Sequence, residues 1–272
     1  MKILIPTDFS ILPEHAWVLI QRLLAGKNAE VTFLHVLQVP DTLTLDNDKN
    51  FNTCGEIDME YLLSQKTMIE KKLSVIEQEH HGVKTDWVTG QLTDAIAHYA
   101  AGHDFDLIAM GTNGAFGVAG AISGTNTQVV ARKSQIPVLS LMCDRSDWTL
   151  KNVLFVNDFS NHCEVDMKWL ETMLDADNSN MHFLHVINNS QVDEHLVFSN
   201  MKEYAEKMGW SETKFHTIQE ARIEDGVIHF NQKHDMDLVV IGTYGKKSLF
   251  KTNDAEKLIN HMYKPLITFH LN

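Results

Sequence analysis

No stretch of this sequence approaches the run of about 20 apolar residues that a bilayer-spanning helix requires. Positive charge is also scarce: Lys and Arg number 23 against 36 Asp and Glu, a formal net charge of -13. Binding a phosphate backbone needs a concentrated positive field, so neither nucleic acid nor a membrane is an expected partner. A single nucleotide held by backbone N–H groups stays allowed, because oriented dipoles act at short range whatever the global charge. Cysteine is sparse too. Cys54, Cys143 and Cys163 form no CxxC pair and leave one over from any disulfide, which fits a reducing compartment. The apolar stretch Met1–Pro6 is too short for a leader's core and is soon interrupted by Asp8, so a cytoplasmic location is expected.

What is present is a globular composition, 44% hydrophobic and 22% charged over 272 residues, enough for one large core or two ordinary ones. An internal repeat favours two. Ile3-Leu4-Ile5-Pro6-Thr7-Asp8-Phe9-Ser10 recurs as Val153-Leu154-Phe155-Val156-Asn157-Asp158-Phe159-Ser160, and Phe33-Leu34-His35-Val36 as Phe183-Leu184-His185-Val186. His103-Asp104-Phe105-Asp106-Leu107, leading to Gly111-Thr112-Asn113-Gly114, has its echo in His234-Asp235-Met236-Asp237-Leu238, leading to Gly242-Thr243-Tyr244-Gly245. The last echo comes at a shorter spacing, so the second copy has lost residues in its middle.

Within the first copy, short continuous apolar strands alternate with amphipathic segments. Strands are expected over 2–7, 30–36, 83–88, 106–110 and 137–142. Helices are expected from Ser10, Pro13 and Glu14 to Gly26, from Asp58 to Glu79, over 92–101 and over 126–133. A polar loop with Asp41, Asp46, Asn47 and Asp48 separates the second strand from the long helix. The pattern predicts an α/β fold of two tandem, open, mostly parallel five-stranded sheets with helices on both faces. The domains are placed at 1–144 and 149–272, joined through Asp144-Arg145-Ser146-Asp147, and strand 152–156 restarts the pattern.

Ligands of such folds sit beyond the carboxyl ends of the strands. Asp8, Val36 and the loop after the fourth strand fall there. That loop reads Gly111-x2-Gly114-x9-Gly124-Thr125-Asn126 and ends at a helix start. Glycine lets backbone approach a phosphate, and a helix N-terminus offers unpaired N–H groups and partial positive charge. Thr125 suits either a cap or a phosphate contact.

Gly-x2-Gly-x9-Gly-Thr directly after a strand resembles the ATP-binding signature of the universal stress protein family. The opening Pro-Thr-Asp-Phe-Ser, the Leu-His-Val strand end and Ile136-Pro137-Val138-Leu139 extend the resemblance, and as two copies it covers essentially the whole chain. It implies a Rossmann-like fold of the adenine nucleotide alpha hydrolase type and a stress-response or signalling role with ATP, alone or with Mg²⁺, as ligand. Carried over by position, Pro6, Thr7 and Asp8 lie near adenine and ribose, and Val36 walls the adenine. Gly111, Gly114, Gly124, Thr125 and Asn126 form the ribose and phosphate loop. Asn126 stands where the family often has a small apolar residue, and Ala115–Ser123 contains no Lys or Arg.

The second copy departs further. Ala255 and Glu256 replace the last glycine and the hydroxyl residue, Val156 replaces the proline, and the loop is shorter. Carboxylates at a helix start compete with phosphate, so ATP is expected in the first domain only. Two other readings stand beside this one: a ligand-free tandem interaction module, in which the glycines and aspartates merely shape turns, and a slow ATP hydrolase. No catalytic residue is assigned, since the loop offers neither a spaced general base nor a cation. His35 and His185 read as core histidines, and His80-His81 and His162-Cys163 lack the second ligand pair of a metal site. Lys246, Lys247 and Lys251 form either a solvated turn or a source of charge for the first loop. The family's habit of pairing last strands implies an intramolecular pseudo-dimer, Val138–Met142 against Leu266–His270, and leaves a homodimer open.

Overall fold

A computed structural model describes residues 1–40, 42–53, 58–112, 125–142, 150–159, 167–174, 179–188, 192–210, 212–244, 257–259 and 261–271. The first half runs β1 (Lys2–Pro6), α1 (Leu12–Leu23), β2 (Glu30–Leu37), β3 (Leu43–Leu45), β4 (Phe51–Thr53), α2 (Met59–Glu79), β5 (Lys84–Thr89), α3 (Leu92–Gly102), β6 (Leu107–Gly111), α4 (Asn126–Lys133) and β7 (Val138–Leu141). The second half runs β8 (Asn152–Val156), α5 (Lys168–Met173), β9 (Asn180–Ile187), α6 (Glu194–Lys207), β10 (Thr213–Gln219), α7 (Ile223–His234), β11 (Leu238–Tyr244) and β12 (Leu266–Leu271).

Consecutive strand residues point to opposite faces, so a run of wholly buried side chains means that both faces are covered. Ile3, Leu4 and Ile5 are all fully buried, as are Val153 to Val156 and Leu238 to Ile241. Their β-branched and leucine-rich composition is what a doubly covered parallel sheet selects. The order is β10-β9-β8-β11-β12-β7-β6-β1-β2-β5. Within this sheet all pairings inside each half are parallel, and the halves meet where β12 runs antiparallel to β7. Ten strands thus form one continuous sheet rather than two separate ones.

Two local differences from expectation have simple causes. The polar loop after β2 contains the β3–β4 hairpin. Asp46 Oδ1 accepts the N–H groups of Asp48 (2.9 Å) and Asn50 (2.8 Å) and so builds its turn. Strands this short carry too little alternation to be read from sequence. Helix α1 starts at Leu12 rather than Ser10, because Asp8 and Ser10 are used in the turn that precedes it. The linker 144–147 lies outside the described residues.

The β7–β12 seam has local two-fold character. Leu266, Ile267 and Thr268, after Pro265, hold the places that Val138, Leu139 and Ser140 hold after Pro137. The register pairs Leu266 with Ser140, Ile267 with Leu139 and Thr268 with Val138. Ser140 Oγ donates to the Leu266 carbonyl (3.2 Å), and Thr268 Oγ1 reaches the Val138 carbonyl (3.5 Å). Beyond the strands, His270 Nε2 donates to the Ala131 carbonyl (3.1 Å). Lys27 Nζ from the first half donates to the carbonyls of Thr172 (2.7 Å), Met173 (3.0 Å) and Leu174 (3.0 Å) at the end of α5. An ammonium at a helix C-terminus satisfies orphan carbonyls and complements the dipole. Lys27→Met should therefore cost about 1–2 kcal/mol, read as a fall in the urea midpoint with an unchanged slope. Loss of less than a few tenths of a kcal/mol would mean that the three contacts carry nothing.

Candidate functional site

Because β1 lies between β2 and β6 in a parallel sheet, Pro6–Asp8, Val36 and Gly111 come to adjacent strand ends. The turn leaving β1 is held by its own side chains. Thr7 N–H donates to the Leu34 carbonyl (2.8 Å), extending the ladder one residue beyond Pro6. Thr7 Oγ1 then accepts the Phe9 N–H (3.0 Å), and Asp8 Oδ1 accepts the Ser10 N–H (2.9 Å). Thr7 is buried and Asp8 exposed. The second carboxylate oxygen of Asp8 has no partner among the described residues.

Phe9 sits in the left-handed region at φ 64°, an unfavourable place for a bulky residue. Stacking on the His35 ring, with centroids 4.5 Å apart, offsets that strain. Lys72 Nζ from α2 caps the stack, 4.7 Å from the Phe9 ring centre. The Thr7 carbonyl accepts from His35 Nδ1 at 2.8 Å, which fixes the ring's tautomer. Burial holds the His35 pKa below its ordinary value despite the opposing pull of that hydrogen bond. His35 is thus a neutral structural prop. Val36, on the other face, is buried and in register with Val88 of β5. Neither Phe9 nor Lys72 was legible as part of this site, although the repeated Asp-Phe-Ser is the signal that marks Phe9.

On the other side of β1 lies β6, and α4 follows it in the chain. A Cβ on Gly111 would overlap the Leu12 carbonyl oxygen and lie 2.8 Å from both the Leu12 carbonyl carbon and its Cβ. Glycine is needed there for the close approach of α1, with or without a ligand. Thr125 is the N-cap of α4 and forms a reciprocal capping box. Its Oγ1 accepts the Gln128 N–H (3.3 Å), while Gln128 Oε1 accepts the Thr125 N–H (2.7 Å). The spacing Thr125-x-x-Gln128 is the sequence signal for this arrangement. Two amides at the helix start are therefore satisfied internally. Those of Asn126 and Thr127 have no acceptor among the described residues, and Asn126 is exposed. Gly114, Gly124 and the segment 115–123 lie outside the described residues.

At the matching place in the second half the chain closes on itself. Asn157 and Asp158 are 0% and 5% exposed, against an open Asp8. Phe159, again left-handed at φ 52°, stacks on Phe183 at 5.0 Å and meets Tyr204 edge-on at 5.7 Å. Gly242 lies within β11, whereas Gly245, Lys246, Lys247, Lys251, Asp254, Ala255, Glu256 and His162-Cys163 lie outside the described residues. His80 lies between α1 and α2, with Nε2 3.0 Å from Glu14 Oε1. Among the described residues no group of three or more His, Cys, Asp or Glu is arranged to hold a metal ion, and no helix is long and apolar enough to cross a membrane.

Residues 1–141 match the model of the universal stress protein family. A universal stress protein from Archaeoglobus fulgidus superposes with a TM-score of 0.72 at 18% identity, covering 100% of this chain and 96% of that one. A putative universal stress protein from Pseudomonas aeruginosa gives 0.61 at 15% identity, with 99% and 93% covered. At these identities the two structures speak for the fold. No curated protein matches the sequence.

Proposed function

We infer a function from one premise: the chain belongs to the universal stress protein family. The reading is that its first half binds an adenine nucleotide, ATP with or without Mg²⁺, and that occupancy alters how the protein engages partners in a stress response. One observation carries it. The exposed Asp8 turn leaves β1, and α4, whose Asn126 and Thr127 amides have no acceptor among the described residues, follows β6, the strand beside β1; ligands of such sheets, here one with a polar base and an anionic tail, lie beyond the carboxyl ends of the strands.

The residues fit such a ligand. Asp8 offers an acceptor oxygen to the amino or hydroxyl groups of a nucleoside, with Pro6 and Thr7 fixing the turn and Val36 as apolar wall. Asn126 and Thr127 offer N–H donors to a phosphate, and Gly111, Gly114 and Gly124 are proposed as the loop that receives it, Gly111 serving also the close approach of α1. Thr125 works as a cap: its hydroxyl oxygen already accepts a backbone N–H. Bound ATP would supply a charged group whose position partners read; the protein's own residues bind and orient it. Hydrolysis is not part of the proposal.

The second half is proposed to bind no nucleotide, since Asp158 is buried and Phe159 fills the space beside β9. Together the halves act as an intramolecular pseudo-dimer across β7 and β12, in the cytoplasm. A second reading, an interaction module without ligand, is favoured by the capping box, which leaves α4 half satisfied with nothing bound.

Thermal unfolding separates the two. Nucleotide at 100 times its Kd stabilises by about 2.7 kcal/mol, which in a chain of this size raises the midpoint by roughly 5–10 °C. ATP should give such a shift, and Asp8→Ala should remove most of it while lowering the ligand-free midpoint by no more than about 5 °C, the cost of one turn hydrogen bond. No shift at millimolar ATP, together with no nucleotide released on denaturing fresh protein, would leave the interaction module standing.

A further inference from the structure

Three histidines gather on one face of the second half, away from the strand-end site. His182 of β9 is buried, and its Nδ1 lies 3.1 Å from His216 Nε2 of β10, with the rings stacked 5.2 Å apart at 12°. Helix α7 closes over them. The Phe230 ring lies 4.9 Å and the His234 ring 5.8 Å from His216, and Phe230 and His234 stack at 4.3 Å. His216 is therefore the aromatic link between the two strands and the last turn of the helix.

A hydrogen bond between two imidazoles requires one N–H and one bare nitrogen. The pair holds when both rings are neutral or when one is charged. When both are charged, each facing nitrogen carries a proton, so the bond is lost and like charges meet at 3.1 Å. The surroundings make this worse. The charges acting on His182 are those of His216, Lys214 and His234, and those acting on His216 are those of His234 and Lys214.

The nearby carboxylates are engaged elsewhere. On α7, Glu224 pairs with His261 (2.8 Å), Asp225 with Arg222 (2.7 Å), and His229 with Glu220 just past β10 (2.7 Å). Past the helix end Asp235 pairs with Lys264 (2.8 Å), and Asp237 accepts the N–H groups of Lys151 and Asn152 (both 2.9 Å). On α6, Glu194 accepts from the hydroxyl of Thr217, the neighbour of His216 that points to the opposite face of β10. Beside β9, β8 offers Asn152, which pairs with Asn180 and carries no charge. Charged Lys233 of α7 is exposed.

We propose that the His182–His216 pair is an acid-sensitive latch holding α7 on β9 and β10, and that protonation of both rings releases the helix. Burial, reinforced by these cations, lowers His182 from 6.5 to about 4 and moves His216 down as well. The sign follows directly. The folded state favours neutral rings, so the contribution is complete above pH 6.5 and is lost as pH falls from 6.5 towards 4. Lys214, exposed on β10, adds to the repulsion on both rings.

The test is hydrogen exchange of the full chain at pH 7 and pH 5, corrected for the intrinsic pH dependence, with imidazole titrations followed by NMR. Peptides covering 223–234 should gain protection-limited exchange on the order of tenfold or more at pH 5 relative to the β1–β2 core. His216→Phe keeps a ring against Phe230 without a proton to gain, so it should cut this excess and leave only the part set by burial of His182. Should that variant fold poorly, exposed His234→Gln provides the second arm: it removes one cation, so the His216 midpoint should rise. An α7 segment equally protected at both pH values, or an acid response retained in full by His216→Phe, or a His216 midpoint unmoved in His234→Gln, would overturn the latch.

Discussion

Ile267→Asp is expected to lower the thermal midpoint of the full chain by about 10 °C or more, the largest effect of any single substitution considered for this protein. Ile267 is fully buried in β12, with Val240 of β11 on one side and Leu139 of β7 on the other. Removing such a side chain costs about 2–5 kcal/mol. Placing a carboxyl group there, charged or forced neutral, adds about 1–3 kcal/mol with no partner to offset it. Ile267→Val changes the volume alone and should cost about 0.5–1.5 kcal/mol. The comparison asks a structural question. If β7–β12 is interior, both halves lose stability together and unfold in one calorimetric transition. If the seam is a wet contact between independent domains, Ile267→Asp would shift the midpoint by less than about 3 °C or split the transition in two.

That distinction bears on function, because a signal read as a change between halves needs a seam that transmits it. Lys27 joins the segment after α1 to the end of α5 in the other half, and His270 of β12 reaches α4 at Ala131. Displacement of α4 by a ligand at its N-terminus would thus be felt at Ala131, within the same helix, and through His270 by β12.

Apart from the β3–β4 hairpin, sequence reasoning found the elements of the first half to within about three residues at each end, for a definite physical reason. Strands buried on both faces appear as unbroken apolar runs such as Ile3-Leu4-Ile5, and the duplicated Leu-His-Val and Asp-x-Asp-Leu stretches fix their ends. Three things escaped it. The β3–β4 hairpin is stabilised by Asp46 side-chain hydrogen bonds rather than by a hydrophobic pattern. The Phe9–His35 stack depends on a left-handed backbone at Phe9, and only the fold shows why an aromatic residue tolerates it. The His182–His216 pair joins two strands whose register nothing local encodes, so two unremarkable histidines in sequence become one coupled unit in space. The candidate site was legible as a motif but not as a set of roles. Thr125 looked equally suited to cap and to phosphate contact, and Gln128 decides for the cap.

Gly111 poses the same problem more sharply, and Gly111→Ala would resolve it. The glycine was assigned to the nucleotide loop, yet the added methyl group would meet the Leu12 backbone, with the carbonyl carbon 2.8 Å away. A flexible side chain could move aside; a carbonyl in the first turn of α1 moves only with the helix. Overpacking of this kind costs about 1–3 kcal/mol, so the midpoint of the ligand-free protein should fall by about 3–10 °C. Leu12→Gly in the same chain removes one of the three close atoms and leaves the two backbone atoms, so it should not restore stability. If the ligand-free midpoint stays within about 1 °C while ATP affinity falls, the close approach is not the reason for glycine, and its place is to let the nucleotide in. If stability falls and the variant binds ATP at its own folded fraction as before, Gly111 serves the packing of α1 on β6, and the phosphate-facing part of the motif begins after it.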